Sequence, residues 1–373
     1  MTAPWQRARR ILCVRLDSLG DVLMCTPAMR ALRRAVPGRT LTLLGSPSGA
    51  AALPFIPELD DVIAWSAPWT KSSAPAAASA TASATASATA AAPIATLAAR
   101  AFDAAVIFTT YTQSALPAAL LCQLAGIPLR LAHCRENPYD LLSDWIPDPE
   151  PATLVRHEVQ RQLALVQRVG CRSADLGLSF VPRPADFTAA RARLAAAGIA
   201  PDRPWILLHP GASAASRRYP AGHWAHVLRL LAQELQLPLV LTGSAEESEL
   251  VDGIQFASAV PAVSLAGRLT LGELGAALRL AAVAVTNNTG PAHMAAAVGT
   301  PVVDLYALTN PQHTPWNVRS RVLFHDVACR FCYKSTCPEG HQACLAGVEP
   351  QRVADAVRAL LDAAQAAPAA VTA

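Results

Sequence analysis

Short apolar runs, each followed by a turn and then a stretch with helical spacing, recur through both halves of the chain, and this alternation limits the fold more than any other feature. Ile11-Leu12-Cys13-Val14-Arg15-Leu16 passes through a turn into a helical pattern over 22–36, and apolar runs at 41–44, 62–65 and 104–109 repeat the theme. It begins afresh at 205–209 and continues at 239–242, 263–265, 283–286 and 302–306. Strands that are apolar on both faces and separated by helices build a parallel sheet covered on both sides. The expectation is an α/β protein with two doubly wound, Rossmann-like domains.

At 373 residues the chain has room for two cores. The first domain is expected over 1–171 and the second over 205–349. Between them, 172–204 carries Pro182, Pro184, Pro201 and Pro204 and reads as a linker with a short helix over 185–197. Residues 350–373 read as a C-terminal helix and tail. The stretch 72–92 is almost wholly Ala, Ser and Thr and reads as a disordered insertion without catalytic content.

A hydrophobic share of 52% against 16% charged residues excludes general disorder. The net charge of +4 is carried by arginine, Lys71 and Lys334 being the only lysines. This balance suits anionic ligands or a membrane surface without demanding nucleic acid. Arg15 and Asp17 interrupt the first apolar run too early for a signal peptide, and no apolar span reaches the roughly 18 residues of a membrane helix. A cytosolic location is expected, and the scattered cysteines argue against a secreted disulfide framework.

Ligands of such sheets gather at the carboxyl ends of strands, where helix N-termini present N–H groups. The first turn is Asp17-Ser18-Leu19-Gly20-Asp21, not the Gly-x-Gly-x-x-Gly of dinucleotide binders, which disfavours a dehydrogenase. Gly20 would admit a substrate close to the backbone, and Asp21 would stand in the first helical turn, as a site residue or simply as a partner of the helix dipole. The second domain opens on a loop from His209 to Pro220 in which Ser213, Arg217, Arg218 and loop N–H groups match the needs of a diphosphate. Further on, Asn287-Asn288-Thr289-Gly290-Pro291-Ala292-His293 offers an open helix N-terminus, with His293 alone reading as a core or capping histidine. Asp304 to Pro311 forms another polar rim.

Taken together, Leu19-Gly20-Asp21-Val22 with Pro27, the His209–Pro220 loop, and Thr289 to His293 through Gly299-Thr300-Pro301 resemble the glycosyltransferase family 9 heptosyltransferases. The resemblance implies the GT-B fold, two facing Rossmann-like domains with acceptor contacts on the first and the nucleotide on the second. It implies inverting, metal-independent transfer of heptose from ADP-heptose to the inner core of lipopolysaccharide, either Kdo-lipid A or a heptosylated core. By the same resemblance Asp21 is the general base, with Ser18 and Gly20 on the acceptor side. Ser213, Arg217, Arg218, Asn288, Thr289, Gly290 and His293 fall to the donor and its phosphates. Gly243 and Glu246 fall to the nucleoside, with Glu247 and Glu249 as alternative carboxylates. Asn288 stands where many relatives carry aspartate, and Arg217 where they carry lysine. No cofactor is implied, and a monomer in peripheral contact with the inner membrane is expected.

Cys329, Cys332, Cys337, His341 and Cys344 lie within sixteen residues and read either as a structural zinc site or as buried, loosely paired thiols. Their segment is expected to lie apart from the ligand-binding turns and to serve stability. The rival functions are a transferase using another nucleotide sugar, such as a UDP-hexose, and a non-catalytic nucleotide-sugar-binding protein.

Overall fold

In the computed structural model, residues 3–70 and 93–365 are described. The Ala/Ser/Thr stretch and the end of the C-terminal tail lie outside them. The chain divides into two compact units, Met1–Ser179 and Phe180–Ala373.

In the first unit, β1 (Arg10–Arg15), β2 (Thr40–Gly45), β3 (Asp61–Ala64), β4 (Ala104–Ile107), β5 (Leu129–Cys134) and β6 (Asp144–Pro147) form one sheet in the order β3-β2-β1-β4-β5-β6. The second unit has β7 (Ile206–His209), β8 (Leu239–Leu241), β9 (Val263–Ser264), β10 (Val283–Asn287), β11 (Val302–Leu305) and β12 (Ser320–Leu323), ordered β12-β11-β10-β7-β8-β9. The pairings are parallel. Both sheets have the doubly wound order that starts in the middle and reverses once. The strand order reverses between β1 and β4 in one unit and between β7 and β10 in the other, where such folds open a crevice.

Burial explains why the apolar runs became central strands. Ile11, Leu12, Cys13 and Val14 of β1 are all buried, as are Ile206, Leu207 and Leu208 of β7, so helices cover both faces. Leu12, Val14, Ala105 and Ile107 join Ala118, Ala119 and Cys122 in one core of the first unit. In the second, Trp224 and Leu228 of helix Ala221–Leu235 pack against Ile206, Leu208 and Val285, and helix Pro350–Gln365 adds Val353, Val357 and Leu360. Each such side chain contributes roughly 1.5–3 kcal/mol on burial. β5, β6 and β12, which the apolar spacing did not single out, extend the sheets. Ile146 and Leu323 are only half-buried, so the edge strands lack a continuous apolar signature.

Helix Pro184–Ala196, in the expected linker, packs on helix Leu271–Leu280 of the second unit. Gly275 permits this neighbourhood, since a Cβ there would come within 2.2 Å of the Phe180 ring.

Candidate active site

β1 ends on Arg15, whose side chain has no solvent exposure, and a buried guanidinium requires carboxylates. Asp17 lies 3.1 Å away, Asp21 3.1 Å and Glu158 2.9 Å. Glu158 opens helix Glu158–Gln167 and its Oε1 also accepts from Gln162 Nε2 at 2.7 Å. Asp21 is held from two sides. Its Oδ1 accepts from Arg15 Nη2 at 3.1 Å, and its Oδ2 accepts from the Ser18 N–H at 3.1 Å and the Ser18 hydroxyl at 2.6 Å. Ser18 and Asp21 are the two members of a capping box on helix Leu19–Ala35, which places Asp21 at the third position of the first turn. Gly20 is buried in that turn and Ser18 is exposed.

Burial pushes the Asp17 and Glu158 carboxyls above the usual carboxylate range, with Arg15 drawing both down. One guanidinium thus serves three carboxyl groups, an arrangement suited to taking up a proton. Beside Asp17, where the strand order reverses between β1 and β4, a cavity of about 310 Å³ opens.

In the second unit the candidate ligand-binding turns follow neighbouring strands. Asn287, the last residue of β10, is fully buried and staples the loop after β7: its Nδ2 donates to the Pro210 carbonyl at 2.6 Å, and its Oδ1 accepts from the Tyr219 N–H at 3.1 Å. That loop exposes Ser213 and Arg218 and leaves Arg217 half-buried at the end of a short 3-10 turn, Ala215–Arg217. Arg218 Nε donates to the Ala212 carbonyl at 2.8 Å. Helix Gly290–Val298 begins beside it with Thr289 as N-cap, Pro in its first turn, and no side-chain cap on its N–H groups. An uncapped N-terminus of this kind favours an anion. His293 lies buried inside the same helix.

After β8, Gly243 is half-buried and Glu246 exposed, while Glu247 turns inward. Its Oε2 accepts from the Ser244 N–H at 2.9 Å and lies 3.7 Å from His209 Nε2. A Cβ on Gly211 would fall 2.1 Å from the Glu247 carboxyl, so Gly211 is the residue that admits it. Burial pushes the His209 imidazole below its ordinary range, opposed by Glu247. Register sets His209, Thr286 and Asp304 side by side on adjacent strands. Asp304 has no exposure and neither of its oxygens accepts a hydrogen bond. Burial pushes its carboxyl well above the usual range, and Arg217 is the cation that draws it down.

The sequence profile of glycosyltransferase family 9 (heptosyltransferase) matches residues 92–343, more than half of the chain. The chain belongs to this family. The family 9 chain is 25% identical to lipopolysaccharide heptosyltransferase 1 of Pseudomonas aeruginosa, over 94% of this chain and 98% of that protein. It is 28% identical to lipopolysaccharide heptosyltransferase 2 of Escherichia coli, over 71% of this chain and 77% of that protein. Among solved structures it resembles a family 9 glycosyltransferase from Veillonella parvula, with a TM-score of 0.75, 19% identity and coverage of 95% and 97%. The E. coli ADP-heptose lps heptosyltransferase II superposes with a TM-score of 0.71 at 23% identity, covering 96% of this chain and 100% of that one. The fold is GT-B and the protein a glycosyltransferase.

In this glycosyltransferase the residues singled out from sequence fall at two strand-end sites, one per unit. Ser18, Gly20 and Asp21 gather after β1; Ser213, Arg217, Arg218, Asn288, Thr289, Gly290 and His293 lie on the turns after β7 and β10; Gly243 and Glu246 follow β8. Sequence reasoning missed Glu158 and placed Asn287 and Asp304 within polar turns without giving either a role. Arg15 carried a signal, since a charge inside a strand must meet a partner, but nothing in the chain order points to Glu158.

The cysteine segment does not lie apart from the candidate ligand-binding turns, as the sequence led one to expect it would. Ser216 donates its hydroxyl to the Lys334 carbonyl at 2.8 Å and its N–H to Ser335 at 3.0 Å, and Gln342 Nε2 donates to the Ala215 carbonyl at 2.8 Å. The segment therefore backs the turn that carries Arg217. Cys329, Cys332, Cys337, His341 and Cys344 surround a cavity of about 20 Å³, with Cys329 Sγ 3.9 Å from His341 Nε2. Among the described residues, no three His, Cys, Asp or Glu side chains are grouped to hold a metal ion.

Proposed function

We propose that the chain transfers heptose from ADP-heptose to an inner-core lipopolysaccharide acceptor, with inversion at the anomeric carbon. The observation that carries this reading is Asp21, fixed by Arg15 and Ser18 at the carboxyl end of β1. As the acceptor hydroxyl attacks, its proton passes to Asp21; the bond from the anomeric carbon to the diphosphate breaks and its electron pair leaves with ADP. Arg217, Ser213 and the N–H groups of Thr289-Gly290 neutralise the developing charge, protein groups that do this work without a divalent ion. Glu246 accepts from ribose hydroxyls. The names of the similar proteins, lipopolysaccharide heptosyltransferases 1 and 2, support the sugar and the acceptor class.

Among the described residues no helix is long and apolar enough to cross a membrane. We place the enzyme on the cytoplasmic face of the inner membrane as a peripheral monomer, with surface arginines meeting the anionic leaflet.

The test supplies purified protein with ADP-heptose or UDP-sugars and truncated lipopolysaccharide acceptors. Turnover from ADP-heptose is expected, and turnover from UDP-sugars alone overturns the heptose assignment. Asp21→Asn should lower kcat by about 10²- to 10⁴-fold while ADP binding by calorimetry is retained. Arg217→Ala should instead weaken ADP binding by roughly 10- to 100-fold, the value of a charge-assisted hydrogen bond. Undiminished turnover in the Asp21 variant overturns the assigned base.

A further inference from the structure

The cavity of about 310 Å³ in the first unit is unaccounted for by the base and its partners. It sits where the strand order reverses between β1 and β4, the place where doubly wound sheets bind ligands. Its volume is at the small end of ligand pockets, about 300–1,000 Å³, enough for a single ring system rather than an oligosaccharide.

Three features of the lining specify chemistry. Trp69 is 42% exposed, and its ring is buttressed edge-to-face by the buried Trp65 at 5.1 Å and 73°. A fixed, half-open indole is a platform for a flat apolar face, such as the C–H face of a sugar ring. Thr109 is 8% exposed, yet its hydroxyl is buried without a hydrogen-bond partner. A buried hydroxyl left in that state on a cavity wall calls for a ligand or water to complete it. Gln113 spans the floor, its Nε2 donating to Asp17 Oδ1 at 2.7 Å and its Oε1 accepting from the Thr110 N–H at 3.1 Å. Asp17 is the charged group of this lining, an acceptor for hydroxyls and a source of repulsion for a carboxylate. It also shares Arg15 with Asp21, so a ring seated here lies beside the base.

We propose that this cavity seats the terminal sugar ring of the acceptor, and that the ring is neutral: stacked on Trp69, hydrogen-bonded through its hydroxyls to Thr109, Gln113 and Asp17. The proposal rests on the reading of the first unit as the acceptor side. An acceptor ending in an acidic 2-keto sugar would set its carboxylate against Asp17.

The test uses the full-length protein and saturation-transfer NMR with two probes, the methyl glycoside of a neutral heptose and that of an acidic 2-keto sugar. This readout needs no turnover, so it decides the proposal even if the heptosyl-transfer reading fails. Saturable binding of the neutral glycoside is expected, weakened about tenfold or more in Trp69→Ala, partly restored in Trp69→Phe and weakened several-fold in Thr109→Val. Where turnover is measurable, the same variants should raise the acceptor KM and leave ADP affinity unchanged. Trp69 is partly exposed and Thr109→Val keeps its shape, so a folding defect in one leaves the other to decide. Preference for the acidic glycoside, or neutral-glycoside binding unaltered in both Trp69→Ala and Thr109→Val, overturns the proposal.

Discussion

A single buried carboxyl, Asp304, departs from what packing alone asks of a core residue. It occupies a central strand with no exposure and no hydrogen bond, where a valine would pack without desolvation cost. Its folded-state proton affinity is raised above the ordinary value of 3.8 by burial. For such a group the stability contribution is fully present below pH 3.8 and is lost as pH rises toward the folded value, because the unfolded chain ionises first. Asp304→Asn carries no charge to bury. The variant should therefore melt at a higher temperature than the parent, with the gap in Tm widening as pH is raised from about 4.5 to about 8; calorimetry across that range checks it. A gap that narrows with rising pH contradicts the assignment. Asp21 contrasts with Asp304, since each of its oxygens has a donor. Its type and place in the first turn were legible in the sequence, whereas Asp304 showed only as part of a polar rim. The difference is that a capping box is local, while the environment of Asp304 comes from strands and loops far along the chain.

At the scale of elements, the strand-end turns are held by few side chains. Asn287 ties the β10 end to the β7 loop through the Pro210 carbonyl and the Tyr219 N–H, and the Ser216 contacts tie that loop to the cysteine segment. Asn287→Ala leaves these buried groups without partners. It should cost about 1–3 kcal/mol per orphaned group in urea unfolding and weaken ADP binding, because the loop that presents Arg217 loses its anchor. Retained stability together with unchanged ADP affinity would show that the loop holds its shape by other means. The neighbouring Asn288 attracted attention in the sequence because it departs from the aspartate of relatives, yet the adjacent Asn287 is the one that builds the loop. Two asparagines in a row are indistinguishable until the fold decides which of them ends the strand and reaches the neighbouring loop.

For the whole molecule, each unit carries its own sheet, core and strand-end site. A ligand confined to one unit should stabilise that unit by mass action. ADP at 100 times its Kd is expected to add about 2.7 kcal/mol, seen as slowed amide exchange in Phe180–Ala373 and little change in Met1–Ser179. Protection concentrated in the first unit would reverse the assignment of donor and acceptor sides.

The sequence by itself determined the class of fold and the addresses of the main turns. Apolar runs buried on both faces and helical spacing between them are local, repeated signals, and in a parallel sheet they leave the turns at the carboxyl ends of strands. The positions of Asp21, Ser213, Arg217, Thr289 and Gly290 at strand ends were legible for that reason. Only the tertiary structure decided what those turns meet: Glu158 closing on Arg15 across the unit, Asp304 emptied of solvent near Arg217, the cysteine segment backing the Ser216 turn, and the Trp69 cavity beside Asp17. Desolvation, charge and cavity shape depend on residues that are distant in sequence and adjacent in space, and a linear pattern carries no record of that adjacency.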